Sequence, residues 1–325
     1  MTNNNKPYII VVGNEKGGVG KTTIAMHLIT NLLYDGYNVS SMDIDSRQRS
    51  LSNYLENRAK TISTKESSVN IPMPSHSIVN KSKLDSTLEG EEDEKTRFIE
   101  ALNFASGKSD VVVIDAPGND TFLSRLAHSF ANTIITPIND SFVDLNLLAK
   151  VDGETFRIDR HGLYSEVVWH AKMQQAQKGI GEIDWVILRN RLSHIDAHNK
   201  RNMLIALENF SKRSGARLAE GLSERVIYKE LFLKGLTLLD IMGENSDVSL
   251  TISHITARQE LRNFMEFLNL AGKISPKHKE EVATQQKEQS ENESIALQEA
   301  IQEKSTKNNT LNNVEQPEKL VAEAM

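Results

Sequence analysis

Cysteine is absent from all 325 residues, which excludes disulfides, thiolate metal sites, iron–sulfur clusters and a cysteine nucleophile together. No apolar run approaches the ~20 residues that a membrane-spanning helix needs; the apolar segments are short, such as Tyr8 to Val12. The start, Met1 to Pro7, lacks the basic opening and apolar stretch of a secretory signal, so the expected location is the cytoplasm. An excess of positive charge is missing as well. Lys and Arg number 38 against 44 Asp and Glu, a net charge of −6, so any nucleic-acid contact has to come from a local basic patch. There is no internal repeat.

The length suits one large α/β domain or two smaller ones. From Ser275 to Met325 there are 10 acidic and 6 basic residues and no Phe, Tyr or Trp. Such a segment buries too little apolar surface to offset the entropy of ordering it, and reads as a disordered acidic tail. The folded domain is expected over 6–274. A second polar stretch, about 59–97, carries Pro72, Pro74 and the acidic run Glu89 to Glu94. It reads as a surface insertion without a core element, followed by a short helix around Arg97 to Ala105. Elsewhere, continuous apolar runs predict strands at Tyr8 to Val12, Val39 to Asp43, Val111 to Asp115, Thr133 to Thr136 and Trp185 to Leu188. Runs without alternation suit strands covered on both faces, hence a doubly wound, mostly parallel α/β sheet. Lys21 to Tyr34 places Ile24, Leu28 and Leu32 on one helical stripe, and Asp35-Gly36 closes that helix.

Between the first strand and this helix lies Gly13-Asn-Glu-Lys16-Gly17-Gly18-Val19-Gly20-Lys21-Thr22-Thr23. Glycines let a backbone curl so that successive N–H groups face a polyphosphate, and the helix N-terminus adds its dipole. The pattern is that of a P-loop NTPase. Lys21 supplies a cation to the β and γ phosphates, the Thr22 hydroxyl is placed to ligate Mg²⁺, and Thr23 caps the helix or touches the α phosphate. Glu15 stands where the usual pattern has its first glycine, and Lys16 adds a second lysine: this is the deviant Walker A form. Val111 to Asp115 followed by Ala-Pro-Gly118 reads as a Walker B strand, with Asp115 as an outer anchor for Mg²⁺ and Gly118 as a hinge sensing the γ phosphate.

These motifs resemble the ParA/MinD superfamily of deviant Walker A ATPases. Asp43-Ile-Asp-Ser-Arg-Gln-Arg49 belongs with the superfamily pattern, whereas Thr136 to Asp144, Asp184 to Leu192 and Arg225 to Phe232 resemble the MipZ family within it. The resemblance spans about residues 8 to 270 and leaves the tail out. It implies an ATP-sandwich homodimer in which Lys16 reaches the partner's nucleotide. Asp45 would orient the attacking water and Asp43 would support Mg²⁺, although a bend in the loop could exchange those two roles. Asn190, whose amide offers a donor and an acceptor, would read the adenine edge. The resemblance further implies ATP hydrolysis, nonspecific binding of the dimer to chromosomal DNA on the nucleoid, a ParB-like centromere-binding partner, and inhibition of FtsZ assembly at the division site.

Composition bears on the DNA expectation. Between Arg189 and Lys229 nine Lys and Arg face four Asp and Glu, and Lys200, Arg201, Lys212, Arg213 and Arg217 are the candidate phosphate contacts. A MinD-like membrane switch would need a basic amphipathic C-terminal helix, which the acidic tail does not offer. Nitrogenase-type reductases require cysteine. The remaining alternatives are a ParA-type chromosome or plasmid partition ATPase and a small-molecule kinase or ligase on the same fold.

Overall fold

Seven parallel strands form one sheet in the order β3-β2-β4-β1-β5-β8-β9. They are β1 (Tyr8–Val12), β2 (Val39–Asp43), β3 (Ser75–Ile78), β4 (Val111–Asp115), β5 (Thr133–Asn139), β8 (Asp184–Asn190) and β9 (Arg217–Ala219), with β6 (Ala149–Val151) and β7 (Ile158–His161) pairing as a separate antiparallel hairpin. The helices are α1 (Lys21–Tyr34), α2 (Ser50–Thr64), α3 (Thr87–Ser106), α4 (Phe122–Phe130), α5 (Phe142–Leu145), α6 (Leu163–Gln177), α7 (Ala197–Ser214), α8 (Ile227–Lys234) and α9 (Ile252–Leu268). The structure, a computed structural model, describes residues 6–64, 71–192, 197–241 and 251–274. The expected tail, 275–325, lies outside the described residues.

The absence of alternation in the central strands has its cause in this layering. Ile9 and Val11 of β1, with Val112 and Ile114 of β4, pack into one core with Phe98, Leu123, Val168 and Phe210. Ile10 and Val12, with Val111 and Val113, pack on the other face with Ile24, Leu28, Leu51, Leu261 and Phe264. Every such side chain leaves water on folding, at about 1.5–3 kcal/mol each. Helix α1 ends as its sequence suggests: Gly36 takes φ +83°, and the Tyr37 N–H turns back to the Leu32 carbonyl.

The region 59–97 departs from expectation. It does contribute core elements: α2 continues through Thr64, β3 pairs in parallel with β2 from Ser40↔Ser75 to Asp43↔Ile78, and α3 begins at Thr87 under a Ser86 cap. Its polar composition hides this for two reasons. An edge strand is half solvated, and β3 leaves Ser75 exposed with the rest of the strand only partly buried. Helix α3 buries Phe98 and Leu102 toward its C-terminal end and solvates most of its acidic start. One acid there, Glu94, is buried because it accepts the Ser82 N–H at 2.8 Å.

All parallel strands deliver their C-terminal ends to one edge of the sheet. Loops following Val12, Asp43, Asp115, Asn139 and Asn190 therefore converge there, the usual ligand edge of an open α/β sheet.

Candidate nucleotide site

The loop after β1 is held open by left-handed backbone at Gly18 (φ +76°) and Gly20 (φ +89°), conformations that other residues reach only with strain. Gly20 also has no room for a side chain, since a Cβ there would lie 2.3 Å from Asn190 Nδ2. Lys21, the first residue of α1, is buried and donates to the Lys16 carbonyl at 2.8 Å, so its ammonium closes the loop from inside. Burial lowers its pKa, against the opposing charges of Asp115 and Asp45.

At the other side of the loop, the Thr22 hydroxyl donates to one oxygen of Asp115 at 2.6 Å. The second Asp115 oxygen is buried and has no hydrogen-bond partner among the described residues. Burial pushes the Asp115 carboxyl up to about 7, with the charges of Asp43 and Asp45 adding to the rise and Thr22 and Lys21 opposing it. An orphaned carboxylate oxygen beside a threonine hydroxyl is a donor set that a hard cation satisfies, so these residues fit Mg²⁺. Among the described residues no three acidic or imidazole groups converge as a metal cage.

Asp43 and Asp45 are differently placed. Asp43 is fully buried: one oxygen accepts the Asp45 N–H at 3.0 Å, and the other accepts the backbone N–H and hydroxyl of Ser52. Ser52 in turn meets His76 of β3, whose other nitrogen meets Ser41. Asp43 therefore anchors the turn that presents Asp45. Asp45 accepts the N–H groups of Arg47 and Gln48 with one oxygen and sits half-buried at the sheet edge. Ser52 and His76 carry no motif that would single them out in the sequence.

Lys16 forms an ion pair with Asp144, whose carboxylate is buried and whose other oxygen has no hydrogen-bond partner among the described residues. Asp144 sits on α5, after a Ser141 cap, and lies within the Thr136 to Asp144 motif, the one sequence signal that pointed to it. Gly118 abuts the loop directly: a Cβ there would lie 2.9 Å from the Gly17 nitrogen. Gly13 rests on a buried pair, with a Cβ there falling 2.8 Å from the Tyr164 hydroxyl and 2.7 Å from His128 Nε2. His128 Nδ1 faces the Ser124 carbonyl at 2.6 Å and must donate to it, so Nε2 is the acceptor for the Tyr164 hydroxyl at 2.8 Å.

Beyond Gly20 and Thr23 a cavity of about 410 Å³ opens toward Asn190, Leu222, Arg225 and Tyr228. The Asn190 amide N–H groups face the loop, one donating to the Val19 carbonyl at 2.7 Å, which leaves the amide oxygen as an acceptor. His27 lines the same cavity; its Nδ1 donates to the Thr23 carbonyl and its Nε2 accepts the Leu238 N–H. The cavity matches an aromatic base in size, and an acceptor at Asn190 suits an exocyclic amine.

The two buried histidines yield a pH prediction. Burial pushes both His27 and His128 down to about 4, against 6.5 in the unfolded chain. Below pH 6.5 the unfolded chain thus binds protons that the fold refuses, so the stability present above pH 6.5 is lost as pH falls toward 4, at ~1.4 kcal/mol per unit for each histidine. Asp115 acts in the opposite sense, because its folded value of about 7 lies above the unfolded 3.8 and the fold binds the extra proton between them. The net loss expected between pH 6.5 and 4.5 is about 2 kcal/mol. His76, also lowered by burial, adds to it. Urea denaturation across that range measures the slope, and Asp115→Asn should steepen it; a flat profile would contradict neutral, buried imidazoles.

The basic patch is more scattered than charge counting suggests. Lys200, Arg201, Lys212 and Arg213 all lie on α7, with Arg201, Lys212 and Arg213 exposed. Arg213 turns to the hairpin, donating to the Ile158 carbonyl at 2.7 Å. Arg217, the fifth candidate phosphate contact, lies on β9 and is engaged within the chain: its guanidinium makes two hydrogen bonds to Asp184, donates to the Phe267 carbonyl and lies on the Phe267 ring. Its charge and donors are already engaged by Asp184, 33 residues upstream.

Comparison with known proteins bears on the fold and on the family. The ATP complex of a single-residue variant of Cyanothece McdA superposes with a TM-score of 0.53 at 15% identity, over 81% of this chain and 97% of that one. A chain of the MinC:MinD cell division protein complex of Aquifex aeolicus gives 0.50 at 16% identity, over 83% of this chain and 98% of that one. Both likenesses concern the fold. A curated relative, a putative replication protein A of Sinorhizobium fredii, is 28% identical over 169 residues, 43% of this chain, and the match spans only 41% of that protein's length. The sequence profile of the family described as ATPase MipZ matches residues 8–272, nearly the whole described region. The chain belongs to the MipZ ATPase family.

Proposed function

We propose that this protein is an ATP-driven dimerising switch that hydrolyses ATP with Mg²⁺, binds DNA nonspecifically as a dimer and positions the division site by inhibiting FtsZ assembly, in the cytoplasm and on the nucleoid. A ParB-like centromere-binding protein would set where the ATP-bound form accumulates. The observation that carries this reading is the second loop lysine. Lys21 already closes the phosphate cradle from within, whereas Lys16 lies outside it on an ion pair, partly open to solvent.

In this reading the loop amides from Lys16 to Thr23 and the Lys21 ammonium bind the phosphates. Thr22 and Asp115 would hold Mg²⁺, which when bound would neutralise charge on the phosphates. Asp43 fixes the turn through Ser52, and Asp45 orients water. Gly118 stays against Gly17 so that the following segment feels the γ phosphate. Asn190 presents its amide oxygen to the base, with Gly17, Gly18, Val19, Gly20 and Thr23 completing the cradle. DNA contacts fall to Lys200, Arg201 and Lys212, with Arg213 at the edge.

Size-exclusion chromatography with ADP and with a nonhydrolysable ATP analogue, followed by DNA and FtsZ binding on each species, tests the cycle. A dimer only with the ATP analogue, and DNA binding only by that dimer, is expected. Asp45→Ala should slow phosphate release by ~10²-fold or more and leave a persistent ATP dimer on DNA. Monomers under every nucleotide would refute the switch. ADP formed only when an acceptor molecule is added, without free phosphate, would favour a kinase instead.

A further inference from the structure

A second cavity, about 350 Å³, opens between α6, β8 and the C-terminal end of α7. It belongs to the opposite end of the sheet from the phosphate loop, since Trp185 is the second residue of β8 whereas nucleotide-edge loops follow strand C-termini. His161, Glu166, Trp169, Lys172, Trp185 and Arg213 line it. Trp185 forms a buried floor, and its indole N–H is satisfied by the Thr136 hydroxyl at 2.9 Å. Trp169 stands at the rim with 56% of its surface exposed, and Met173, one turn further along α6, is exposed beside it.

The charges in the groove are as unusual as its indoles. Lys172 is half-buried with its ammonium 5.9 Å from the centre of the Trp185 ring. Among the described residues neither Lys172 nor Arg213 lies within ion-pair distance of a carboxylate. Asp184, whose charge Lys172 feels, is already shared by Arg217 and Lys273. Two cations, Lys172 and Arg213, line the slot with one acid, Glu166, while Glu182 and Asp184 act on Lys172 from outside the lining. Exposed tryptophan next to arginine and a concave floor is the composition of an interface anchor rather than of ordinary surface. A slot of this volume has room for a large aromatic or aliphatic side chain.

We propose that this groove docks an acidic segment of a partner protein, which lays an aromatic or large aliphatic side chain against Trp169 and sets a neighbouring carboxylate on Lys172 and Arg213. Charge complementarity fixes the partner's sign, and the indole pair fixes its apolar anchor. None of these contacts involves the phosphate loop, although Arg213 also stands at the edge of the DNA contacts proposed above, so the variants that test the groove are Trp169 and Lys172.

The chain has just two tryptophans, Trp169 and Trp185, and both line the groove, so intrinsic fluorescence reports on it selectively. Random dodecapeptides displayed on phage are selected on the full-length protein, and winners are synthesised and titrated by fluorescence. Expected winners carry Phe, Trp or Leu flanked by Asp or Glu and change the tryptophan emission. They bind Trp169→Ala and Lys172→Gln at least about tenfold more weakly, while both variants keep native ATP turnover and melting temperature. The proposal is overturned by winners that lack the acidic-apolar pattern, by winners that bind both variants as tightly as the native chain, or by no enrichment. It is also overturned if duplex DNA produces the same emission change and the same variants abolish it.

Discussion

Arg58→Ala is expected to lower the stability of the fold by ~3–5 kcal/mol, measured by urea denaturation at pH 7. Arg58 and Asp240 are both fully buried, and the guanidinium forks onto the carboxylate at 2.7 and 2.8 Å. The same side chain donates to the Gly235 and Pro72 carbonyls, and Asp240 further accepts from Tyr34 and from the N–H and hydroxyl of Thr237. Burial would by itself raise the Asp240 pKa; the Arg58 hydrogen bonds and charge, with Thr237, hold it below the usual carboxylate range. Removing Arg58 strands that charge and leaves two carbonyls without donors. Arg58→Lys should rescue little, since an ammonium cannot reproduce the fork. The double variant Arg58→Met, Asp240→Leu should recover only part of the loss: the stranded charge goes, but the Gly235 and Pro72 carbonyls and the buried Thr237 N–H and hydroxyl stay without partners. A loss under about 1 kcal/mol in the single variant would mean that water reaches Asp240. The effect extends to the nucleotide site, because α2 also carries Ser52, the residue that holds Asp43. Added ATP should restore part of the stability by binding only the folded chain.

Arg58 also marks the point where sequence reasoning runs out. It stands one residue before a stretch that reads as surface insertion, yet it is the largest fully buried side chain in the described structure. Nothing in its neighbourhood announces Asp240, 182 positions away. The central strands are legible because burial on both faces forces an unbroken apolar run, whereas edge strand β3 needs no such run and stays hidden. The same distinction governs the site. Glycines, lysine and threonine of the loop act through local backbone geometry, so their spacing can be read. Asp144 reaches Lys16 across 128 positions, and Tyr164 reaches His128 across 36; tertiary packing alone brings them together. Arg217 shows the same limit from the other side, since its ion-pair partner Asp184 lies on another strand, 33 positions away.

Lys16→Ala is expected to retain ATP binding, lose the ATP-dependent dimer and slow hydrolysis by ~10³-fold or more, the size of effect that a cation supplied in trans contributes to phosphoryl transfer. Affinity survives because Lys21 and the loop amides, which stay intact, do the binding. Asp144 makes the test sharper. If Lys16 must reach a partner's nucleotide, it first has to leave a buried carboxylate whose other oxygen has no hydrogen-bond partner among the described residues. Breaking that pair opposes dimerisation, although the 39% exposure of Lys16 screens the interaction well below the value of a fully buried pair. Asp144→Asn keeps the shape and removes the charge, so it should tighten the dimer formed with a nonhydrolysable ATP analogue by roughly tenfold, about 1.4 kcal/mol. Sedimentation equilibrium of the two variants separates the possibilities. Opposite shifts place Lys16 in two competing partnerships, one within its own chain and one across the dimer. A Lys16→Ala protein that dimerises normally, or an Asp144→Asn protein with an unchanged dimer constant, would leave the ion pair a purely local tie.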